Sequence, residues 1–130
     1  VNVDGIYNCV RAVLPQMLQR QSGAIVNVSS MWGQVGASCE TVYSMSKAGV
    51  IGFTRALAQE LAPEGIAVNC VAPGIIDTRM NACFDRAELE AEVPMGRLGT
   101  LGGGRGCAVP GRESVCDRPG AGGQRRYCII

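Results

Sequence analysis

The sequence has no histidine and no CxxC pair among its 130 residues. Because histidine and paired cysteines supply most zinc ligands in proteins, we predict that the chain holds no metal. The seven cysteines are odd in number and irregular in spacing, which favours reduced thiols over a disulfide framework. Cys9 and Cys70 lie in apolar patterns and are expected to be buried.

A long apolar run and a strong net charge are also absent. No stretch reaches the roughly 18 apolar residues that a membrane-spanning helix requires, and the start has no signal-peptide pattern, so we expect a cytoplasmic protein without a membrane partner. Twelve basic and eleven acidic residues give a net charge of +1, which argues against nucleic acid as a partner. The chain begins at Val1, without an initiator methionine, where a helix is predicted to start, and we therefore expect a preceding segment.

The apolar pattern predicts one small α/β domain. Apolar residues recur at intervals of three and four in two segments, as in amphipathic helices, and two short β-branched runs are typical of strands, the first of them buried on both faces. The first helix contains Pro15, which is expected to kink it, and residues 31–41 are predicted to form a loop. The alternation predicts parallel pairing of the strands. The elements in order are helix 4 to about 21, strand 24–28, helix 41–61 and strand 66–71.

Tyr43 and Lys47, in the segment YSMSK, share one face of the second helix because they lie four residues apart. An ammonium one turn from a phenol stabilises the ionised phenol, which makes the phenol a usable acid or base toward an oxygen on carbon. The alternative is that both are ordinary surface residues of the helix, and the spacing alone favours that alternative.

Further candidates lie at the ends of elements. Ser29 and Ser30 end the first strand, where a hydroxyl could hold a substrate oxygen or simply cap the next turn. Asn2 opens the first helix, where an asparagine is usually a cap. Pro73 and Gly74 end the second strand in a turn whose backbone could meet a flat ligand, although turn chemistry explains them equally well.

Taken together, these residues resemble the short-chain dehydrogenase/reductase family, and within it the 3-oxoacyl-[acyl-carrier-protein] reductases. The resemblance is carried by the segments GAIVNVSS, YSMSKAGVIGFTRALAQELAPEGIAVNCVAPGIIDTRM and MGRLGT. It covers residues 1 to about 100, which are similar to the second half of the family's domain. The resemblance implies an α/β fold, a Rossmann-like doubly wound parallel sheet, of which the first half is missing.

The resemblance also implies a role for each site residue. Tyr43 is expected to give a proton to the substrate carbonyl, and Ser30 to hydrogen-bond that carbonyl. Lys47 is expected to bind the nicotinamide ribose, while Asn2 holds a water through which the lysine is reprotonated. The implied reaction is ketone reduction with NADP, or NAD as the alternative. The residues implied to bind the cofactor are Tyr43, Lys47, Pro73, Gly74, Ile76 and Thr78.

The sequence departs from the family at both ends. It has no glycine-rich turn for the cofactor pyrophosphate, and the segment LGGGRG follows no strand and opens no helix. Residues 101–130 lack the family's closing helix and strand. Codons that can encode these residues, when they are read one base later, encode a sequence that contains both the helix and the strand. We therefore interpret residues 1–100 as the catalytic half of the domain, and residues 101–130 as a non-native or disordered tail produced by a frameshift.

Two functions stay open. The chain is either the catalytic half of a reductase of fatty acid biosynthesis, acting on a small-molecule or acyl-carrier-protein-bound 3-oxoacyl thioester, or an inactive truncated fragment that holds no cofactor. Within the family, a sugar, a sugar acid or a steroid alcohol is the alternative substrate, because substrate choice is expected to lie in the variable residues 80–95. The full-length protein is expected to form a homotetramer or a dimer.

Overall fold

The computed structural model describes residues 1–93, 96–100 and 128–129. Two single-turn 3-10 helices, Ala62–Glu64 and Arg79–Asn81, accompany the main elements. The bounds of the four predicted elements each agree with the structure to within one residue. The main elements in order are α1 Asp4–Arg20, β1 Gly23–Val28, α2 Trp32–Val35, α3 Thr41–Leu61, β2 Ile66–Ala72, α4 Arg86–Glu92 and β3 Cys128–Ile129.

The described strands form one parallel sheet in the order β1-β2-β3. β1 and β2 pair from Gly23 opposite Ile66 to Val28 opposite Val71, and α3 connects them. The predicted parallel pairing is therefore confirmed. The chain turns into β2 at Gly65, whose φ of 70° lies in the left-handed region, and a Cβ there would lie 2.9 Å from the carbonyl oxygen of Gln21.

Apolar side chains from both long helices form the main core against the sheet. A second, smaller core cluster of Val50, Ile51 and Cys70 lies nearer the start of α3 than the main cluster does. Burial of this kind supplies most of the driving force for folding. The main cluster consists of Val10, Ile25, Leu57, Ala58, Leu61, Ile66 and Val68.

A buried polar chain also ties β1 to α3. Asn27 Nδ2 donates to Thr54 Oγ1 at 2.9 Å, and Thr54 Oγ1 donates to the carbonyl oxygen of Val50 at 2.7 Å. Asn27 is 6% and Thr54 1% exposed, so each polar group needs the partner that it has. This chain fixes the register of the helix against the strand.

β1 differs from the prediction of a strand buried on both faces. Ile25 and Asn27 are buried, whereas Val26 and Val28 are 36% and 56% exposed. The apolar run carries no polar alternation, and the face that bears Val26 and Val28 is left open by the described part of the chain. The prediction was wrong because sequence alone does not say whether a second layer is present.

Three smaller predictions were also wrong. Cys9 is exposed although Cys70 is buried, because Cys9 lies beside the buried stripe of α1 rather than on it. Asn2 does not cap α1: the helix begins after Val3, which has helical dihedrals, and no side chain caps it. Residues 31–41 are not all loop, since they contain the short helix α2.

Most of the stretch 101–130, interpreted above as a frameshifted tail, lies outside the described residues. Only Cys128–Ile129 are described, and they pair with β2 as the parallel strand β3, Cys128 opposite Val71 and Ile129 opposite Ala72. The sequence analysis predicted no strand here because two residues are too few to show a strand period.

Candidate active site

Tyr43 and Lys47 lie in the first two turns of α3 and share a face, as their spacing predicted. Lys47 Nζ lies 5.7 Å from the centre of the Tyr43 ring. The same ammonium donates to the carbonyl oxygen of Val28 at 3.2 Å. Tyr43 is 37% exposed, so its phenol is open to a ligand. The pair therefore lies next to the last residue of β1.

The carbonyl of Val28 points away from β2. Ser29 N donates to the carbonyl oxygen of Val71 on β2 at 2.7 Å, and successive backbone groups of a strand point to opposite edges. The backbone groups of Val28 therefore point to the other edge of β1, and Lys47 lies at that edge. This is the carboxyl end of a parallel strand, where open α/β sheets bind ligands.

Ser30 lies two residues after Val28, and its hydroxyl accepts a hydrogen bond without donating one within the described part of the chain. It is 8% exposed, and its Oγ accepts a hydrogen bond from Trp32 N at 3.2 Å. Within the described part of the chain, the Ser30 hydroxyl has no acceptor for its own proton. A hydroxyl can donate once and accept twice, so Ser30 is able to donate to an oxygen of a ligand.

The turn after β2 lies beside the loop after β1. Met31 N donates to the carbonyl oxygen of Pro73 at 2.9 Å, which joins the two loops, with Gly74 next in the chain. Thr78 precedes the second 3-10 helix, and its side chain makes no capping bond. Pro73, Gly74 and Thr78 thus follow the end of β2, beside the loop that follows β1.

Three hydrogen bonds hold this turn in place. Asn81 Nδ2 donates to the carbonyl oxygen of Ile76 at 2.7 Å, and Ile76 bridges to Gly99. Gly99 N donates to the carbonyl oxygen of Ile75, and Asp77 N to that of Gly99, both at 2.9 Å. The backbone around Ile76 is therefore fixed from both sides.

In the part of the chain that the structure describes, no hydrogen bond joins Asn2 to Ser30, Tyr43 or Lys47. Asn2 is exposed, and it lines a groove between α1 and β1 that Val28 also lines. Among the described residues its side chain has no hydrogen-bond partner. Asn2 thus lies in the same groove as the strand end that Lys47 contacts, without contacting Lys47.

The structure shows two contacts to Lys47 that the sequence did not indicate, one from the candidate Ser29 and one from Gly33. Ser29 Oγ donates to the carbonyl oxygen of Lys47 at 2.7 Å. Gly33 of α2 lies so close to α3 that a Cβ there would be 2.6 Å from the carbonyl carbon of Lys47. The double serine was visible in the sequence, but not which hydroxyl faces the helix.

A buried thiol lies under the site. Burial raises the pKa of Cys70, while the neighbouring Thr54 side chain, the Ser29 backbone and the charge of Lys47 act in the opposite direction. Cys70 is therefore a neutral, packed thiol at neutral pH.

In the described part of the chain, no three histidine, cysteine, aspartate or glutamate residues group as metal ligands. None of the described helices is both long and apolar enough to cross a bilayer.

Comparison with known proteins identifies the family. The family model described as short chain dehydrogenase matches residues 1–89. An uncharacterized oxidoreductase of Bacillus subtilis, YmfI, is 52% identical over 101 residues, which are 75% of this chain and 42% of that protein. The 3-oxoacyl-[acyl-carrier-protein] reductase FabG of Staphylococcus aureus is 43% identical over 101 residues, 75% of this chain and 41% of its own length.

Solved structures agree with this assignment. ElxO with NADP bound has a TM-score of 0.72 and 38% identity, over 76% of this chain and 42% of that one. A 3-oxoacyl-[acyl-carrier protein] reductase from Brucella melitensis has a TM-score of 0.71 and 42% identity, over 77% of this chain and 39% of that one. The chain belongs to the short-chain dehydrogenase family. Its fold is the Rossmann-like parallel α/β sheet of that family, and the chain spans about two fifths of the length of the relatives it matches.

Proposed function

We propose that this chain supplies the catalytic residues of an NADP-dependent carbonyl reductase that converts the ketone of a 3-oxoacyl thioester into a hydroxyl. The observation that carries the proposal is the position of Lys47. Its ammonium lies 5.7 Å from the Tyr43 ring and within hydrogen-bond distance of the end of β1, one residue before the buried Ser29–Ser30 pair. The FabG relatives are named for this substrate.

We propose one task for each side chain. Tyr43 gives its proton to the substrate carbonyl oxygen, and the Lys47 ammonium stabilises the negative charge that this leaves on the phenol. Ser30 donates its uncommitted proton to the same carbonyl oxygen and so orients the substrate. Asn2 holds a water in the groove beside Val28, through which the lysine regains a proton.

The residues present fit the nicotinamide end of the cofactor. Lys47 would bind the ribose hydroxyls, and Tyr43, whose ring lies 5.7 Å from the Lys47 ammonium, would lie beside them. The fixed turn that contains Pro73, Gly74, Ile76 and Thr78 would receive the carboxamide, because its backbone is held from both sides and the Thr78 side chain makes no capping bond. When bound, the cofactor supplies the hydride. NADP is proposed because ElxO, at 38% identity, binds it.

The wider setting follows from the same relatives. We propose a role in fatty acid biosynthesis, an acyl-carrier-protein-bound or free thioester as substrate, and a homotetramer or dimer as the assembled state. The cytoplasm is proposed as the compartment because Cys9, Cys39 and Cys70 are free thiols, which persist in reducing compartments.

Residues 1–100 are proposed to be the catalytic half of the domain, and residues 101–130 a frameshifted tail. The family model matches residues 1–89 and similarity to the FabG relatives extends over about 101 residues, which supports a change of character in the last part of the chain. Sequencing the encoding DNA tests this proposal. A shifted reading frame that encodes an acidic helix after Thr100 would support the proposal. If no reading frame of the DNA encodes such a helix there, the proposal is contradicted.

The activity is tested in a joined reductase, in which the matched region of the Staphylococcus aureus FabG is replaced by residues 1–100 of this chain. NADPH oxidation is followed with a 3-oxoacyl thioester, a keto sugar and a keto steroid. We expect turnover with the thioester and at least about tenfold lower kcat/KM with the other two, since a pocket that pairs polar substrate groups discriminates strongly. The unaltered Staphylococcus enzyme is the control. A joined reductase that binds NADPH but reduces none of the three substrates would contradict the proposal.

A further inference from the structure

We propose that Ser29 and Gly33 are positioning residues that hold the turn of α3 bearing Lys47 against the ends of both strands. The structural part of this inference stands on the contacts alone. Its meaning for catalysis rests on the proposed function, in which the Lys47 ammonium has to lie at a fixed place between the Tyr43 phenol and the end of β1.

Ser29 joins three elements through one residue. Its backbone N–H donates to the Val71 carbonyl on β2, and its Oγ donates to the Lys47 carbonyl on α3, both at 2.7 Å. Ser29 is only 4% exposed, so water does not replace the helix carbonyl as the acceptor of its proton. The hydroxyl therefore fixes the height of the Lys47 turn relative to the sheet.

Gly33 constrains the same turn from the side of α2. A Cβ at this position would lie 2.6 Å from the Lys47 carbonyl carbon, 2.9 Å from Ala48 N and 2.9 Å from Lys47 Cβ. Two of these three atoms belong to the backbone, so they cannot move aside as a flexible side chain can. The helix and the loop approach this closely only because residue 33 has no side chain.

These two contacts matter because a lysine side chain is long and flexible. Its ammonium sits at the end of a four-carbon stem with considerable rotamer entropy, so its position depends on how firmly the backbone beneath it is held. Here the contacts are made to the Lys47 residue itself. The competing explanation is that Ser29 and Gly33 contribute only general stability, as any buried packing contact does.

Lys47 is the only lysine in the sequence, which allows this one turn to be observed in the full chain. Lysyl endopeptidase has one cleavage site, the Lys47–Ala48 peptide bond, whose carbonyl is the acceptor for Ser29. A chain labelled with ¹³C and ¹⁵N in lysine gives one side-chain ammonium signal in NMR spectra. Both measurements report on Lys47 alone.

The principal variant is Ser29→Ala, and Thr54→Val is the matched control. Thr54 is also a buried hydroxyl between β1 and α3, but it bonds Asn27 and Val50 rather than Lys47. Ser29→Thr keeps a hydroxyl and serves as the rescue variant. Each urea midpoint is measured, so that cleavage can be corrected for the change in global stability.

For Ser29→Ala we expect cleavage at Lys47 about three- to tenfold faster than its urea midpoint alone explains, the change that corresponds to one lost hydrogen bond. We also expect the ammonium signal to shift toward its position in the unfolded chain. Thr54→Val should lower the midpoint without either effect, and Ser29→Thr should restore slow cleavage. The inference would be overturned if cleavage, corrected for the urea midpoint, were equally fast in Ser29→Ala and Thr54→Val. It would also be overturned if the protease cleaved the folded wild-type chain as fast as the chain unfolded in urea.

Gly33→Ala provides an independent check from the other side of the turn. We expect the ammonium signal to shift and cleavage to accelerate as in Ser29→Ala, whereas Gly5→Ala, at a glycine of α1 with nothing within 4 Å of the added Cβ and no positive φ, should leave the signal in place. An unchanged signal in a folded Gly33→Ala chain would contradict the role of Gly33.

Failure of this inference is distinguishable from failure of the proposed function. NADPH binding is measured in the joined reductase, which has the cofactor-binding half that this chain lacks. If the Ser29→Ala chain shows the Lys47 effects but the joined reductase does not bind NADPH, Ser29 and Gly33 hold the turn and the proposed cofactor site is wrong. If NADPH binds but Ser29→Ala leaves Lys47 unchanged, the inference fails alone.

Discussion

The ammonium nitrogen of Lys47 lies 5.7 Å from the centre of the Tyr43 ring and 3.2 Å from the carbonyl oxygen of Val28. One cation therefore lies next to both a phenol on α3 and the end of a parallel strand. This relationship follows from the fold: α3 crosses from β1 to β2, and its first two turns lie beside the carboxyl end of β1.

Removing the charge of Lys47 should impair the proton transfer. In the joined reductase, Lys47→Met keeps the apolar stem but takes away the ammonium that stabilises the phenolate, and we expect kcat to fall at least about 100-fold. Steady-state kinetics with the 3-oxoacyl thioester measure this. Lys47→Arg keeps the charge on a larger head group and should retain more activity than Lys47→Met; equal kcat in the wild type and Lys47→Met would contradict the role.

Removing the hydroxyl of Ser30 should remove a hydrogen bond to the substrate carbonyl oxygen. We expect Ser30→Ala to lower kcat about 100-fold, since the loss of one donor to a developing oxyanion typically has an effect of this size. Ser30→Thr retains the donor and should keep measurable activity. Turnover by Ser30→Ala within about twofold of the wild type would show that another group orients the carbonyl.

The Cys70 thiol should resist alkylation in the folded chain. It is buried, and burial raises its pKa above the ordinary value of 9.0, so little thiolate forms near neutral pH, whereas Cys9 and Cys39 are exposed. Mass spectrometry after brief treatment with iodoacetamide at pH 8 should find Cys9 and Cys39 modified and Cys70 intact. Equal modification of all three would contradict the buried placement.

The same raised pKa fixes the sign of a pH effect on stability. The folded state holds the proton more tightly than the unfolded state, so the contribution of Cys70 is complete below about pH 9 and is lost as the pH rises through the raised value. Cys70→Ala should therefore reduce the loss of stability in alkaline urea titrations. If stability falls as steeply with rising pH in Cys70→Ala as in the wild type, or more steeply, this prediction is contradicted.

β1 should cause self-association, because it lies at the edge of the described sheet and Val26 and Val28 are exposed on it. A charge on an edge strand opposes pairing with another chain, so Val26→Lys should lower concentration-dependent light scattering. Val35→Lys, at an exposed valine of α2 away from the sheet, is the control and should change scattering little. A sharp cooperative melt of a soluble wild-type monomer would contradict the prediction.

The regular elements were predictable because their burial sets the spacing of their apolar residues. Val50, Leu57 and Leu61 recur on one face of α3, and a β-branched run gave β1. Tyr43 and Lys47 were predictable as a pair for the same reason, since helix geometry alone brings residues four apart together.

The remaining contacts depend on how elements pack, which spacing does not encode. Ser29 and Ser30 are adjacent in sequence, and only the position of α3 decides that Ser29 bonds the helix, while the Ser30 hydroxyl has no acceptor within the described part of the chain. The need for glycine at residue 33 depends on how closely α2 approaches α3. The open face of β1 was missed because an apolar run looks the same whether or not a second layer covers it.

The central claim is that Tyr43 donates the proton, and replacing its hydroxyl tests this most directly. In the joined reductase, Tyr43→Phe is compared with Tyr7→Phe, which removes the hydroxyl of an exposed tyrosine on α1 that packs edge-on against Phe53. NADPH binding is measured in parallel, so that a loss of cofactor is not mistaken for a loss of chemistry. We predict that Tyr43→Phe binds NADPH but reduces the thioester at least about 100-fold more slowly, with Tyr7→Phe close to the wild type; undiminished turnover by Tyr43→Phe would contradict the account.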